Sequence, residues 1–125
     1  MSFIAKLIKQ KPSSKMPPMP SWENVIEIMY DKHLDAFADE VVDAIYSKDR
    51  SMRYVVLKDD NSLLTYQLEA IYQFDENEWR YICSNDTALP AMWEPFKGID
   101  SKSFFESIAE LRKEMKSEPE YKQYF

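Results

Sequence analysis

Few side chains in this sequence are of the types that carry out catalysis or bind a metal. His33 is the single histidine and Cys83 the single cysteine. Neither Asp31 nor Asp35 stands three or four residues from His33, the spacing at which a helix places a carboxylate beside an imidazole. Residues 84–86, which follow Cys83, carry no positive charge that would lower the pKa of its thiol. We therefore expect a structural or capping histidine and a buried, inert thiol, and we predict no catalytic residue, no metal site and no cofactor.

Carboxylates recur at every fourth position in the first half of the chain. The row consists of Glu23, Glu27, Asp31, Asp35, Asp39 and Asp43. Two carboxylates act as a general acid and base only where a cleft shifts the pKa of one of them, which spacing alone does not show. The commoner interpretation is the solvated face of a helix. The functional interpretation is a docking surface for a basic partner, with Asp35, Asp39 and Asp43 as candidate contacts.

Composition and charge exclude several function classes. Gly98 is the single glycine, so the glycine-rich loops that bind dinucleotides or nucleoside triphosphates are excluded. The formal net charge is −6, although residues 1–19 carry four lysines and no acid. The remaining residues therefore hold 12 basic against 22 acidic side chains, a balance of −10. Such a charge argues against nucleic-acid binding, which needs clustered lysine and arginine, and favours a basic protein partner.

The N-terminal residues differ in composition from the rest of the chain. Residues 1–10 alternate apolar and lysine side chains at helical spacing, and prolines at positions 12, 17, 18 and 20 follow. We interpret residues 1–20 as a basic segment with a proline-rich linker, and 21–125 as a single domain. The apolar stretch is too short for a secretory signal or a membrane span, which predicts a cytoplasmic protein without stable membrane insertion. Weak contact of this segment with a membrane surface stays an alternative.

The order of hydrophobic patterns predicts an α+β fold. Residues 21–46 have helical spacing with Ser21 as N-cap, and the rotation of the apolar rows favours two helices meeting near residues 31–33. The side chains of residues 52–58, 63–74 and 79–83 have the two-residue period of β-strands, which predicts three strands of an antiparallel meander. A helix capped by Ser101 or Ser103 reaches Met115, and a last turn starts at Pro119. We expect N-terminal helices, this three-stranded β-meander, and a C-terminal helix packed on one face of the sheet.

Two sets of aromatic side chains are candidate binding residues. The segment 88–96 presents Met92, Trp93 and Phe96 and is stiffened by prolines at positions 90 and 95. Such aromatic and methionine side chains are favoured at protein interfaces. The alternative interpretation is a lid that covers the edge of the sheet. A second set could line a polar pocket between sheet and helices, because tyrosines on the buried side of a strand must place their hydroxyls. This set consists of Tyr66, Tyr72, Trp79 and Tyr81.

The leading functional hypothesis is a non-enzymatic, acidic protein-binding module. A row of carboxylates could occupy the phosphate-binding groove of a basic partner, as an immunity or inhibitor protein for a nuclease toxin would. The alternative, from another class, is a small enzyme or ligand-binding protein that uses the tyrosine-lined pocket.

Overall fold

The protein has an α+β fold built around one antiparallel sheet of four strands. The computed structural model describes residues 17–83, 88–96 and 103–125. In chain order the elements are α1 (Trp22–Met29), a 3-10 helix (Leu34–Ala36), β1 (Glu40–Tyr46), β2 (Met52–Lys58), β3 (Leu64–Gln73), α2 (Glu76–Ile82), β4 (Ala91–Pro95), α3 (Ile108–Lys116) and α4 (Pro119–Tyr124). The fold class predicted from the sequence is confirmed, with four strands in place of three.

The sheet is a meander in which every strand pairs with the next one described along the chain. The β2–β3 hairpin turns at Asp59, whose Oδ1 accepts hydrogen bonds from the amides of Asn61 (2.8 Å) and Leu63 (2.9 Å). An aspartate that binds nearby backbone amides in this way stabilises a tight turn without glycine. The resulting register places Arg53 directly opposite Glu69.

Helices cover both faces of the sheet. Because side chains alternate between faces along a strand, the odd-numbered residues of β2, β3 and β4 share one face and the even-numbered residues share the other. On the odd-numbered face, Val25 and Met29 of α1 cluster with Trp93. On the even-numbered face, Tyr54 clusters with Leu111 of α3. The C-terminal helices thus occupy one face, and α1 occupies the opposite one.

Polar side chains fix the start of three helices. Ser21 and Ser107 each accept a hydrogen bond from the backbone amide three residues further on, which satisfies a donor that the first turn leaves unpaired. At the start of α2, Asp75 Oδ1 accepts from the amide of Glu78, and Glu78 Oε1 accepts from the amide of Asp75, both at 2.8 Å. This reciprocal pair is a capping box.

The second helix predicted between residues 21 and 46 is wrong, because this part of the chain forms β1. The predicted break is confirmed, since Asp31 and His33 have φ angles of 60° and 64°, which a right-handed helix excludes. Beyond the break, Val41 and Val42 are β-branched and favour a strand. The acids at every fourth position therefore do not form one helical face: only Glu23 and Glu27 lie on α1.

The predicted third strand at residues 79–83 is also wrong. These residues form most of α2 and its C-terminal cap, and the helix begins at Glu76 with Asp75 as its N-cap. The sheet is completed instead by β4, which lies in the segment 88–96 that is interpreted from the sequence as an interface or a lid and not as a strand. The pattern of residues 76–82 is also compatible with a helix, because the apolar positions of so short a segment fit both the two-residue period of a strand and the 3.6-residue period of a helix.

At the C terminus the start of one helix is displaced and the last prediction is confirmed. α3 begins at Ile108 with Ser107 as its cap, later than the predicted start. α4 begins at Pro119 as expected, and Tyr121 and Phe125 pack against the core.

Some predictions fall on residues that are not described. The N-terminal helix of residues 1–10, the linker up to residue 16 and the alternative cap Ser101 all lie outside the described residues. Within the described ranges, no helix is long and apolar enough to cross a membrane.

Candidate protein-binding surface

Trp93 is a core residue that fixes which face of β4 is exposed. Trp93 is 7% exposed, and its Nε1 donates a hydrogen bond of 2.9 Å to the carbonyl of Met29 at the end of α1. The guanidinium carbon of Arg53 lies 4.1 Å from the centroid of the indole ring. Because Trp93 is held between sheet and helix, its neighbours Met92 and Glu94 must face the opposite side.

Arg53 belongs to a buried polar cluster beneath α1. Its Nε donates to Glu69 Oε1 at 2.8 Å, and the two side chains are 0% and 6% exposed. Its Nη1 donates to the carbonyl of Lys32 at 2.9 Å and lies 3.4 Å from the hydroxyl of Tyr46. Gln67 Nε2 donates to the second carboxylate oxygen of Glu69 at 3.1 Å. The ion pair therefore connects β2 and β3 with the loop after α1 and with the ring of Trp93. Because Trp93 belongs to β4, these contacts hold β4 in a fixed position on the sheet.

The opposite side of β3 and β4 carries an exposed apolar patch. We define the β3–β4 patch as Tyr72, Met92, Glu94 and Phe96. Tyr72 pairs directly with Met92 across the two strands, and the amide of Phe96 bonds to the carbonyl of Leu68, which continues the alternation beyond β4. The exposed fractions are 37% for Tyr72, 40% for Met92 and 38% for Phe96. The helices on this face cluster with Leu64 and Tyr66, at the other end of β3.

Carboxylates surround the tyrosine of this patch. The hydroxyl of Tyr72 donates to Glu78 Oε1 at 2.7 Å, and Glu78 is itself fixed by the capping box of α2. This hydrogen bond, followed by partial burial and by the negative charges of Glu78, Asp75 and Glu94, raises the pKa of Tyr72 to about 12. The described residues as a whole hold 20 acidic against 10 basic side chains, a formal balance of −10. The patch is thus apolar at its centre and negative around it.

The structure separates the six candidate interface residues. Met92 and Phe96 lie in the β3–β4 patch, whereas Trp93 is buried on the other face of the sheet. The remaining three residues are distributed over two elements and a loop: Asp35 in the 3-10 helix, Asp39 before β1, and Asp43 within β1.

Asp43 already has a partner within the chain. Its Oδ2 accepts a hydrogen bond of 2.9 Å from Arg112 Nη2 of α3, and its Oδ1 accepts from the amide of Ala44 at 2.8 Å. The side chain therefore fastens α3 to the edge of the sheet, which lowers its value as a docking contact.

The four residues of the predicted pocket make their polar contacts with different partners. Tyr66 donates to Glu118 at 2.7 Å, Tyr72 to Glu78, and Trp79 to the carbonyl of Pro17 at 2.9 Å. Tyr81 is 82% exposed. The partly buried hydroxyl of Tyr66 is thus satisfied by a carboxylate of the chain, the commoner of the two interpretations of a tyrosine on this side of the strand.

Glu118 binds two tyrosines at once. Tyr54 donates to its Oε1 and Tyr66 to its Oε2, both at 2.7 Å. Burial, and then the hydrogen bond to Glu118, raise the pKa of both phenols well above the ordinary value of 10.0. Because Glu118 is the N-cap residue of α4, this contact fixes the C-terminal helix on the sheet.

A groove in the described residues lies away from both predicted sites. It has a volume of about 570 Å³ and is lined by Trp22, Glu23, Asn24, Ile26, Glu27, Asp49 and Arg50. Asp49 is occupied within the loop, because its Oδ1 accepts hydrogen bonds from the hydroxyl (2.7 Å) and amide (2.9 Å) of Ser51. These bonds lower the pKa of Asp49 below 3.8.

The side chains of His33 and Cys83 take no part in the contacts described above. His33 is exposed in the left-handed turn after α1 and makes no side-chain cap bond. Cys83 is half-buried rather than fully buried, at the end of α2, with its Sγ 3.9 Å from the carbonyl of Arg80. Among the described residues, no group of three or more histidine, cysteine or acidic side chains is placed to hold a metal ion.

Sequence reasoning missed the residues that orient the surface, although a signal was present. Once the turn near residue 61 is assigned, antiparallel pairing places Arg53 opposite Glu69, and opposite charges facing each other across two strands indicate an ion pair. Asp75 and Glu78 likewise have the three-residue spacing of a capping box. No local signal connects Glu118 to its two tyrosines, because 64 and 52 residues separate it from Tyr54 and Tyr66.

No protein-family model, curated protein or solved structure matches this chain. The function is therefore inferred from its own residues.

Proposed function

We propose that this protein is a non-enzymatic binding module that takes a basic polypeptide segment on the β3–β4 patch. One observation carries the proposal: three bulky side chains, Tyr72, Met92 and Phe96, are each more than a third exposed on one face of the sheet, next to the carboxylates of Glu78 and Glu94. Tyrosine, methionine and phenylalanine are enriched at protein interfaces. Their burial by a partner would supply affinity, and the surrounding acids would select a partner of opposite charge.

The rigidity of the patch supports this role. Tyr72 and Met92 belong to adjacent strands, and Tyr72 is fixed by its bond to Glu78. Side chains that are ordered before binding lose less conformational entropy on association than mobile ones. The excess of acids in the described residues would also steer a basic partner towards the protein, an effect that salt screens.

The finer proposal is an inhibitor or immunity-type protein. An acidic surface with an apolar centre would cover the phosphate-binding groove of a nuclease, which must be basic to hold nucleic acid. This role rests on the same patch and needs a partner with clustered lysine and arginine.

A display selection tests the proposal and does not require that the natural partner be identified first. A random peptide library is selected on the wild-type protein alone, and the enriched peptides are then tested for binding to a variant that carries Met92→Ser and Glu94→Lys. We expect the enriched peptides to combine lysine or arginine with apolar side chains and to lose binding to the variant. A matched control carries Val42→Ser and Glu110→Lys, which alter an equally exposed apolar side chain on β1 and an equally charged one on α3.

The control separates the patch from the overall charge. Binding that survives in the control but not in the patch variant supports the proposal. Equal loss in both variants, or enrichment of peptides that bind the patch variant as well as the wild type, contradicts it.

A further inference from the structure

The outer edge of β4 has backbone groups that point away from the sheet. The amide of Phe74 bonds to the carbonyl of Pro90 (3.0 Å), and the amide of Phe96 bonds to the carbonyl of Leu68 (2.9 Å). Because bonding positions alternate along an antiparallel strand, the even-numbered residues of β4 direct their amide and carbonyl towards β3. The odd-numbered residues therefore direct theirs outwards. Of these, Ala91 is covered at 2% exposed and Pro95 has no amide proton, so Trp93, at 7% exposed, is the residue of β4 that is left to offer both groups to an added strand. No strand among the described residues pairs with this edge.

The opposite edge of the sheet is protected. β1 has a bulge between Val41 and Asp43, and the Oδ1 of Asp43 accepts the hydrogen bond of the Ala44 amide. Bulges and local capping of this kind prevent a further strand from adding to an edge. β4 has one such feature, Pro95, which lacks an amide proton and limits how far an added strand could pair. The two edges thus differ, and only β4 combines outward backbone groups with the exposed patch.

We infer that the partner binds as an extended basic segment, added to the outer edge of β4 as a fifth strand. This inference rests on the proposed function and specifies how the β3–β4 patch is used. Main-chain hydrogen bonds to Trp93 would supply a sequence-independent part of the affinity, and alternate side chains would supply the specificity.

The register of such a strand defines the chemistry of the segment. Side chains opposite Met92 and Glu94 would lie on the side of the patch, two residues apart in the partner. An apolar side chain suits the position beside Met92 and Tyr72, and a lysine or arginine suits the position beside Glu94. A second copy of this chain is a poorer occupant, because each copy brings its own excess of acids to the contact.

Hydrogen exchange read by NMR tests the mode of binding. The probe is the peptide acetyl-TKTITKT-amide, which places isoleucine between two lysines on one face of a strand. We expect its addition to the full-length protein to shift the Met92 methyl signal and to slow exchange of the Trp93 amide by about tenfold or more. The Met92 and Glu94 amides serve as internal controls, because they already bond to β3. The peptide acetyl-TETITET-amide, with reversed charge, is expected to change neither signal.

The outcomes separate this inference from the proposed function. A shift of the Met92 methyl without slower exchange at Trp93 means that the patch binds the peptide without adding a strand, which overturns the inference and leaves the proposed function intact. An unchanged Met92 methyl and Trp93 amide at millimolar peptide also overturn the inference, and the display selection then decides the proposed function on its own. A slower Trp93 amide with the acidic peptide as well would contradict the assigned charge preference.

Discussion

Removal of one partner of the buried ion pair between Arg53 and Glu69 should strongly destabilise the fold. The substitution Glu69→Leu leaves a guanidinium that is 0% exposed without its carboxylate. One of its terminal nitrogens, Nη2, is buried and has no hydrogen-bond partner among the described residues even in the intact protein. The loss of one partner from a buried pair costs about 3–5 kcal/mol of unfolding free energy. This is a large fraction of the stability of a typical domain, about 5–15 kcal/mol.

Removal of both partners should cost less than removal of one. In the double variant Arg53→Met, Glu69→Leu no buried charge remains, and a buried pair replaced by apolar side chains is often neutral for stability. Losses specific to this site remain, since the carbonyl of Lys32 loses its donor, the ring of Trp93 loses its cation and the side-chain amide of Gln67 loses its acceptor. We therefore expect a cost of about 1–3 kcal/mol for the double variant, the usual range for one unsatisfied buried group.

Urea unfolding, followed by circular dichroism and tryptophan fluorescence, measures these values. The matched control is Glu40→Leu on β1, because Glu40 forms an exposed pair with Lys58 at 3.9 Å. Exposed pairs contribute about 0–1 kcal/mol. A Glu69→Leu variant that is as stable as the control would refute the account. A double variant less stable than the single one would show that the charges stabilise the fold by their attraction.

Three further predictions concern the tyrosines bound to Glu118, the carboxylate of Asp49 and the cap of α3. Tyr54→Phe and Tyr66→Phe each remove a bond to the Glu118 carboxylate, worth about 1.5–3 kcal/mol below pH 10. Because the pKa of both phenols is raised in the folded state, the wild type should lose this stability as pH rises beyond 10.0, and urea unfolding of the variants should show a weaker alkaline slope. The pKa of Asp49 is lowered in the folded state, so the stability that its carboxylate contributes is present above pH 3.8 and is lost as pH falls through the lower folded value. In an acid titration followed by circular dichroism, Asp49→Asn should therefore show a smaller loss of stability over this pH range than the wild type. Ser107→Ala should lower the free energy of urea unfolding by about 0.5–2 kcal/mol, and Ser107→Asp should keep most of the wild-type value. Equal stability of Ser107→Ala and the wild type would show that the cap does not stabilise α3.

The sequence predicts the elements that have a clear period of their own. The alternation of residues 63–74 and the short turn at Asp59 yield the β2–β3 hairpin correctly, because both signals are local. Pro119 likewise marks the start of α4, since proline is favoured in the first turn of a helix. The left-handed residues Asp31 and His33 fall where the apolar rows predict a break.

The errors occur where tertiary contacts override a local pattern. Residues 40–46 have acids and apolar side chains at a spacing that fits a helix, but the pairing of β1 with β2 determines their structure. Tertiary contacts also determine which side chains form the exposed surface. Met92 and Trp93 are adjacent and both are large and apolar, and the contacts of Trp93 with Met29 and Arg53 decide which of the two is exposed. These contacts join residues far apart in the chain, so no local signal encodes them.

The affinity of the β3–β4 patch for a basic segment is the central claim of this account. Isothermal titration of a peptide enriched by display compares the wild type with Glu94→Lys and with Glu110→Lys, which make the same change of charge in the patch and on α3. We expect Glu94→Lys to weaken binding by at least about tenfold, equivalent to 1.4 kcal/mol, and Glu110→Lys to weaken it far less. Equal effects of the two substitutions would show that binding follows the net charge of the protein, and would contradict a site at the β3–β4 patch.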